Sequence, residues 1–136
     1  MKELTILAAI ENIPEVTAFV DAELEEAGCP IKVQFQIDVA VDEVFTNIAM
    51  YAYTPGTGSA TVRIEVDRDE KVAEITFIDS GIAFNPLLQK EPDTTLPAAQ
   101  RAVGGLGIFM VKKSMDEMHY AREGEQNILR IRKSIR

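Results

Sequence analysis

Tryptophan is absent from this sequence of 136 residues, and cysteine and histidine occur once each. The single cysteine, Cys29, excludes an internal disulfide bond. His119 has no second histidine beside it with which to build a metal site. No apolar run approaches the roughly 20 residues of a membrane span, and the first residues lack the apolar region and cleavage site of a signal peptide. We therefore expect no membrane contact.

Basic residues are also scarce, with 14 lysines and arginines against 22 acidic residues and a net charge of −8. A phosphate backbone needs a basic face, so the charge argues against nucleic acid as the primary ligand. A single nucleotide is still compatible, because backbone amides and a metal ion can meet its charge locally. An acidic surface also suits a basic protein partner, although solubility alone would explain it equally well.

Hydrophobic periodicity predicts one domain over residues 1–136, with the order β-α-α-β-β-loop-α-β-β. The even apolar character of 71–78 marks a central strand, and the proline-containing stretch 84–103 a functional lid or a disordered loop. We expect an α/β two-layer sandwich: a mixed, mainly antiparallel sheet with helices on one face. The predicted strands cover 2–8, 60–66, 71–78, 117–122 and 127–134, and the predicted helices cover 14–27, 31–53 and 105–116.

Glu43 and Asn47 lie four residues apart on the second predicted helix and therefore share a face with Tyr51. A glutamate can act as a general base on a hydroxyl or a water. An asparagine carbonyl is a suitable oxygen ligand for Mg²⁺, which keeps waters and substrate phosphates as its other ligands. Taken alone, the pair is more typical of an ordinary solvated helix face.

Asp79-Ser80-Gly81 follows the predicted central strand. The Asp79 carboxylate could accept a hydrogen bond from an adenine amino group, and Gly81 would let the backbone approach the ring. The same three residues also make an ordinary turn.

Gly104, Gly105, Leu106 and Gly107 open the third predicted helix. Glycine costs about 1 kcal/mol per position inside a helix, so the cluster needs a reason. One reason is close approach to a phosphate, because the free amides and the dipole of a helix start favour an anion. The other is a hinge for the preceding loop. The pattern is neither a Walker A loop nor a dinucleotide fingerprint.

The three motifs together resemble the Bergerat-fold (GHKL) ATPase superfamily. Within it, the chain resembles the bacterial anti-sigma factor serine/threonine kinases over about residues 3–134. The order and separation of the motifs carry this resemblance, and they read Glu43-Val-Phe-Thr-Asn47, Asp79-Ser-Gly-Ile-Ala-Phe-Asn-Pro86 and Gly104-Gly-Leu-Gly-Ile-Phe-Met-Val111.

The resemblance implies a role for each motif in γ-phosphoryl transfer from ATP to a serine or threonine of a partner. Glu43 would be the catalytic base, and Asn47 would hold Mg²⁺ between the phosphates. Asp79 and Gly81 would bind adenine. The glycine motif would present amides to the phosphates, and residues 84–103 would be the lid. The residues of the glycine motif that would bind the cofactor are Gly104, Gly105, Leu106 and Gly107.

The resemblance also implies a cytoplasmic bacterial regulator. It would hold a sigma factor inactive and release it on engaging and phosphorylating an anti-anti-sigma antagonist, and it would form a homodimer. Two positions depart from the superfamily pattern: Ala83 replaces a second glycine, and Tyr51 replaces a common histidine. An alternative is therefore a nucleotide-binding or protein-sequestering module of the same fold without kinase activity. The ATP-binding domain of a sensor histidine kinase, which would need a phosphoacceptor helix before residue 1, and a domain without a nucleotide site are further alternatives.

Overall fold

The computed structural model describes residues 1–88 and 105–136. Two layers are present, one of helices and one of strands. A π-helical turn, Ile48–Ala52, extends the second helix, and short 3₁₀ turns occur at Ile10–Asn12 and Pro86–Leu88. The strands are β1 (Lys2–Leu7), β2 (Ser59–Asp67), β3 (Val72–Asp79), β4 (Glu117–Glu123) and β5 (Gln126–Ser134), and the helices are α1 (Ile13–Glu26), α2 (Ile31–Asn47) and α3 (Gly105–Ser114).

The five strands form one sheet in the order β1-β2-β3-β5-β4, so β3 is central as its apolar character predicted. Alternate side chains of β2 and β3 are buried beneath the helices, and the others face away. The predicted two-layer α/β sandwich is confirmed. We expected a mixed sheet, but all four pairings between the described strands are antiparallel. The physical reason is that tight turns join β2 to β3 and β4 to β5, and a hairpin makes its strands antiparallel.

Helix α1 follows its predicted pattern, with Val16, Val20 and Leu24 fully buried against the sheet. It ends at Glu26, and Gly28, two residues later, has a φ of +75°, a conformation that favours glycine. The backbone N–H of Cys29 then donates to the Leu24 carbonyl at 3.0 Å and closes the last turn.

Helix α2 packs between α1 and α3 and carries the apolar stripe that the sequence predicted. Its buried residues include Ile37, Val41, Val44 and Phe45. The prediction of one α-helix over 31–53 is too long, because the chain changes to π-helical geometry at Ile48. Such π-helical segments are frequent at functional sites. This one brings the end of α2 against the end of β3.

Candidate active site

A cavity of about 560 Å³, including its open mouth, lies between the end of α2, the start of α3 and the inner face of β3 and β5. Its walls are mostly apolar and include Val44, Ile48, Phe77, Ile108 and Leu129. Such walls suit a flat heterocycle, and the few polar groups among them determine its orientation.

Asp79 is the buried acid of this cavity, with only 6% of its surface exposed. Its Oδ1 accepts hydrogen bonds from the Gly81 N–H and from the Asn127 side-chain amide, both at 2.9 Å. Both donors therefore use the same oxygen, which holds the carboxylate in one orientation. No donor within residues 1–88 and 105–136 bonds Oδ2, so this oxygen can accept from a ligand that carries an N–H group.

Gly81 lies directly against the π-helical turn. A Cβ atom at this position would lie 2.3 Å from the carbonyl oxygen of Ala52, so no other residue fits without a backbone shift. The next residue, Ile82, donates its N–H to that same carbonyl at 3.0 Å. The glycine thus brings the turn after β3 onto the end of α2 and closes one side of the cavity.

Tyr53 fixes the same turn from the other side. Its hydroxyl donates to the Ser59 carbonyl at 2.7 Å and accepts from the Ser80 N–H at 2.8 Å. A Cβ atom on Gly58 would lie 2.4 Å from the Tyr53 ring. Sequence reasoning missed this residue, because the partners of Tyr53 are set by tertiary contacts.

Glu43 and Asn47 are both half-buried on α2, as their spacing predicted. Asn47 lines the cavity. Glu43 lies against the first turn of α3, where a Cβ atom on Gly107 would lie 1.9 Å from its Oε2. Burial raises the pKa of Glu43, and the negative charge of Asp42 adds to the effect. A raised pKa makes the carboxylate a stronger base.

The glycine motif lies next to this carboxylate. Gly105 begins α3, as the sequence predicted, and Leu106 and Gly107 complete its first turn. Gly104 lies outside the described residues. The free amides of the first turn of α3 favour an anion, and the three atoms nearest to a Cβ on Gly107 all belong to the Glu43 side chain. The structure thus brings the glycine motif and the proposed base together beside the cavity.

Asn127 is a central polar residue of the site that sequence reasoning missed. It is 6% exposed, and its Nδ2 donates to Asp79 and, at 2.7 Å, to the Ile82 carbonyl. Its Oδ1 accepts from the Tyr120 hydroxyl at 2.5 Å and from the Phe84 N–H at 3.3 Å. One signal was present in the sequence. Asn127 is in phase with the inward-facing apolar positions of β5, where a buried amide needs partners.

The two departures from the superfamily pattern have different positions. Ala83 is exposed and does not line the cavity. Among the described non-glycine residues only Lys71 has a positive φ, so position 83 does not require glycine. Tyr51 does line the cavity, and its buried hydroxyl has no hydrogen-bond partner within the described parts of the chain. A bound ligand could supply that partner.

Oxygen ligands suitable for Mg²⁺ are available at the site. The described residues contain no group of three or more histidine, cysteine or acidic side chains that could hold a metal by themselves. Mg²⁺ does not need such a group, since it is commonly bound through one or two protein oxygens, waters and phosphates. The Asn47 side-chain oxygen at the cavity wall fits that requirement.

None of the helices in the described residues is both long enough and apolar enough to cross a membrane.

Comparisons with known proteins agree with this architecture. The family model for the histidine kinase-like ATPase domain matches residues 6–133. Serine/threonine-protein kinase BtrW of Bordetella bronchiseptica is 24% identical over 98 residues, which are 72% of this chain and 68% of that protein. Serine-protein kinase RsbW of Bacillus licheniformis is 35% identical over 91 residues, which are 61% of this chain and 54% of that protein. The match therefore spans about half the length of RsbW.

Two solved histidine kinases share the fold. The blue-light activated histidine kinase EL346 of Erythrobacter litoralis superposes with a TM-score of 0.55 at 19% identity. The superposed part is 79% of this chain and 32% of the EL346 chain. The histidine kinase AdeS of Acinetobacter baumannii superposes with a TM-score of 0.55 at 16% identity. The superposed part is 99% of this chain and 69% of the AdeS chain. At these identities the likeness concerns the fold alone.

Proposed function

Because this chain belongs to the histidine kinase-like ATPase family, we propose that it binds ATP with Mg²⁺ and transfers the γ-phosphoryl group to a serine or threonine of a partner protein. The family resemblance that the sequence motifs predicted is confirmed by the match over residues 6–133 and by the similarity to RsbW and BtrW. The proposal treats residues 1–136 as a single ATPase domain.

The observation that carries the proposal is the convergence of three motifs on one cavity. Asp79 and Asn47 line it, and Glu43 lies against Gly107, the neighbour in sequence of the lining residue Ile108. The motifs extend from Glu43 to Gly107 in the sequence, and the fold brings them together. An unrelated surface acid or turn would not need this arrangement.

Asp79 would select the base. Its Oδ2 is an acceptor in an apolar cavity, so a ligand that offers an N–H group is favoured and one that offers a carbonyl is disfavoured. The amino group of adenine meets this requirement. The apolar side chains of Ile48, Phe77 and Leu129 would cover the faces of the ring.

The opposite end of the site would handle the phosphates. The first turn of α3 would donate backbone N–H groups to them, and the Asn47 oxygen would be the protein ligand of Mg²⁺. Bound Mg²⁺ would neutralise phosphate charge and fix the phosphates in position. Glu43, with its raised pKa, would take the proton of the attacking hydroxyl at a carboxylate oxygen.

The proposed partners follow the resemblance to the anti-sigma factor kinases. The chain would bind a bacterial sigma factor and phosphorylate an anti-anti-sigma antagonist, and it would do so in the cytoplasm as a homodimer. Two partners that compete for one protein are exchanged when nucleotide changes the relative affinity for them.

The decisive experiment compares Glu43→Gln with the wild type. The amide keeps the shape of the side chain but does not accept a proton, so we expect hydrolysis of γ-labelled ATP to fall by about 100-fold or more, since general bases contribute on the order of 10²–10⁴. ATP affinity, measured by calorimetry, should change less than about threefold.

Asp42→Asn is the matched control, because Asp42 is the adjacent acid, faces solvent and bonds only Thr46 in the described chain. It should retain most of the hydrolysis rate. An unchanged rate in Glu43→Gln would remove Glu43 from its role. Absence of hydrolysis in the wild type would favour the alternative, a nucleotide-binding or sequestering module without kinase activity.

A further inference from the structure

Helix α2 carries a row of apolar side chains that the fold leaves uncovered. Ile31, Phe35 and Val39 are 86%, 68% and 40% exposed. They lie four residues apart, so they form one continuous row on the helix surface. We call these three residues the α2 row. Single exposed apolar residues are ordinary, but three in one line on one helix mark an interaction surface.

Glu43 is the residue that follows the α2 row at the same spacing along the helix. Its position four residues after Val39 is about 6 Å further along the helix axis, and Ile31 is about 18 Å away from it. Exposure falls steadily along the row towards Glu43, which is half-buried against α3. A polypeptide that lay along the α2 row would therefore be directed to the proposed catalytic base.

The charge around the row selects the kind of polypeptide. Helices α1 and α2 together carry eight acidic side chains and one basic one, Lys32. Among the described residues, the salt bridges of these acids are those of Glu23 with Lys2 of β1 at 3.5 Å and of Glu26 with Arg68, directly after β2, at 3.3 Å. A second copy of this chain would present the same acidic helices, and an anionic membrane would be repelled. A cationic partner is the one that this surface attracts.

We propose that the α2 row is the docking surface for a basic amphipathic helix of the partner protein and guides its hydroxyl side chain towards Glu43. The inference rests on the proposed function for the role of Glu43, while the docking itself does not. The apolar face of the partner helix would cover Ile31, Phe35 and Val39. Its lysines and arginines would meet acids near the row, such as Glu25, which accepts a hydrogen bond from Gln34 of α2, and Asp42, which is three residues after Val39.

The test uses a synthetic 18-residue helical peptide with leucines on one face, lysines on the other and one serine. Its binding is measured by fluorescence anisotropy to the wild type and to the double variant Ile31→Ser, Phe35→Ser. The control is Leu7→Ser, Ile10→Ser, because these two apolar residues are 48% and 54% exposed on another part of the molecule. A second peptide carries glutamate in place of lysine.

We expect the α2 double variant to bind the lysine peptide at least 10-fold more weakly than the wild type and the control variant to bind within twofold of it. The glutamate peptide should not bind. Equal affinities in all three proteins, equal losses in both variants, or binding of the glutamate peptide would overturn the proposal. Two further results would also overturn it. One is self-association of the wild type in sedimentation that the α2 double variant abolishes and the control variant keeps. The other is binding to anionic phosphatidylserine vesicles with the same dependence on the two variants.

ATP affinity, measured in parallel by calorimetry, separates this inference from the proposed function. If the lysine peptide docks on the α2 row but ATP does not bind, the kinase proposal fails and the docking surface stands. If ATP binds and is hydrolysed while the α2 variant binds the peptide like the wild type, the docking surface fails and the kinase proposal stands.

Discussion

Exchange of Asp79 for asparagine should reverse the hydrogen-bonding character of the cavity while leaving the fold intact. Both structural donors, the Gly81 N–H and the Asn127 amide, use Oδ1. In Asp79→Asn the side-chain oxygen keeps these two bonds, because the opposite orientation would set an NH₂ group against two donors. The new NH₂ group then takes the position of Oδ2 and presents a donor to the ligand.

The magnitude follows from the bond that is lost. A hydrogen bond to a charged group contributes about 1.5–3 kcal/mol, and about 1.4 kcal/mol is tenfold in affinity. The NH₂ group of the asparagine would also face the amino group of adenine, and two facing donors add to this cost. ATP affinity should therefore fall about 100-fold. GTP, whose base carries a carbonyl where adenine has an amino group, should lose much less. The free energy of unfolding should change by less than about 1 kcal/mol, because both structural bonds remain.

Calorimetric titration with ATP and GTP, together with urea unfolding, measures both parts of the prediction. Asp67→Asn is the matched control. Asp67 also ends a strand and accepts two backbone N–H groups on one oxygen, each at 3.0 Å, but it lies outside the cavity lining. It should leave ATP affinity unchanged. A loss of ATP affinity below threefold in Asp79→Asn would refute the assignment of Oδ2 to the base.

Asn47→Ala should weaken ATP binding in calorimetry only when Mg²⁺ is present, and an equal loss without metal would give Asn47 another role. Asn127→Ala removes four hydrogen bonds and should lower the free energy of unfolding in urea by about 2–4 kcal/mol; an unchanged value would contradict the network. Burial and a hydrogen bond to Asp21 raise the pKa of Asp38 to about 8, so the folded state favours the protonated form. The free energy of unfolding should therefore decrease as pH rises from about 4 through 8, and Asp38→Asn should reduce this pH dependence. Urea midpoints that change in parallel from about pH 5 to 9 in the wild type and the variant would contradict the role of Asp38.

Most of the fold was predictable because its signals are local. The alternation of Ala60, Val62 and Ile64 with polar residues predicts β2, and the more even apolar character of 71–78 predicts the central strand β3. Pro14 and Gly28 mark the two ends of α1. The end of α2 was not predictable in this way, because the π-helical turn depends on contacts with Gly81 that come from a distant part of the chain.

The site residues likewise differ in whether their signals are local in the sequence or depend on tertiary contacts. Glu43, Asn47 and Asp79 could be selected from sequence because each belongs to a short motif with a recognisable chemistry. Asn127 and Tyr53 could not be assigned a role, because their partners lie at sequence distances of up to 48 and 27 residues. The close approach of Glu43 to Gly107 likewise depends on the packing of α3 beside α2. The roles of the motif residues remain predictions until they are tested by substitution.

The most direct test of the account is a calorimetric titration of the protein with ATP in the presence and absence of Mg²⁺. The account predicts one site per chain, with affinity that increases when Mg²⁺ is added and that exceeds the affinity for GTP at least 10-fold. Absence of binding up to millimolar ATP, or equal affinity for ATP and GTP, would contradict the claim that this cavity is an adenine nucleotide site.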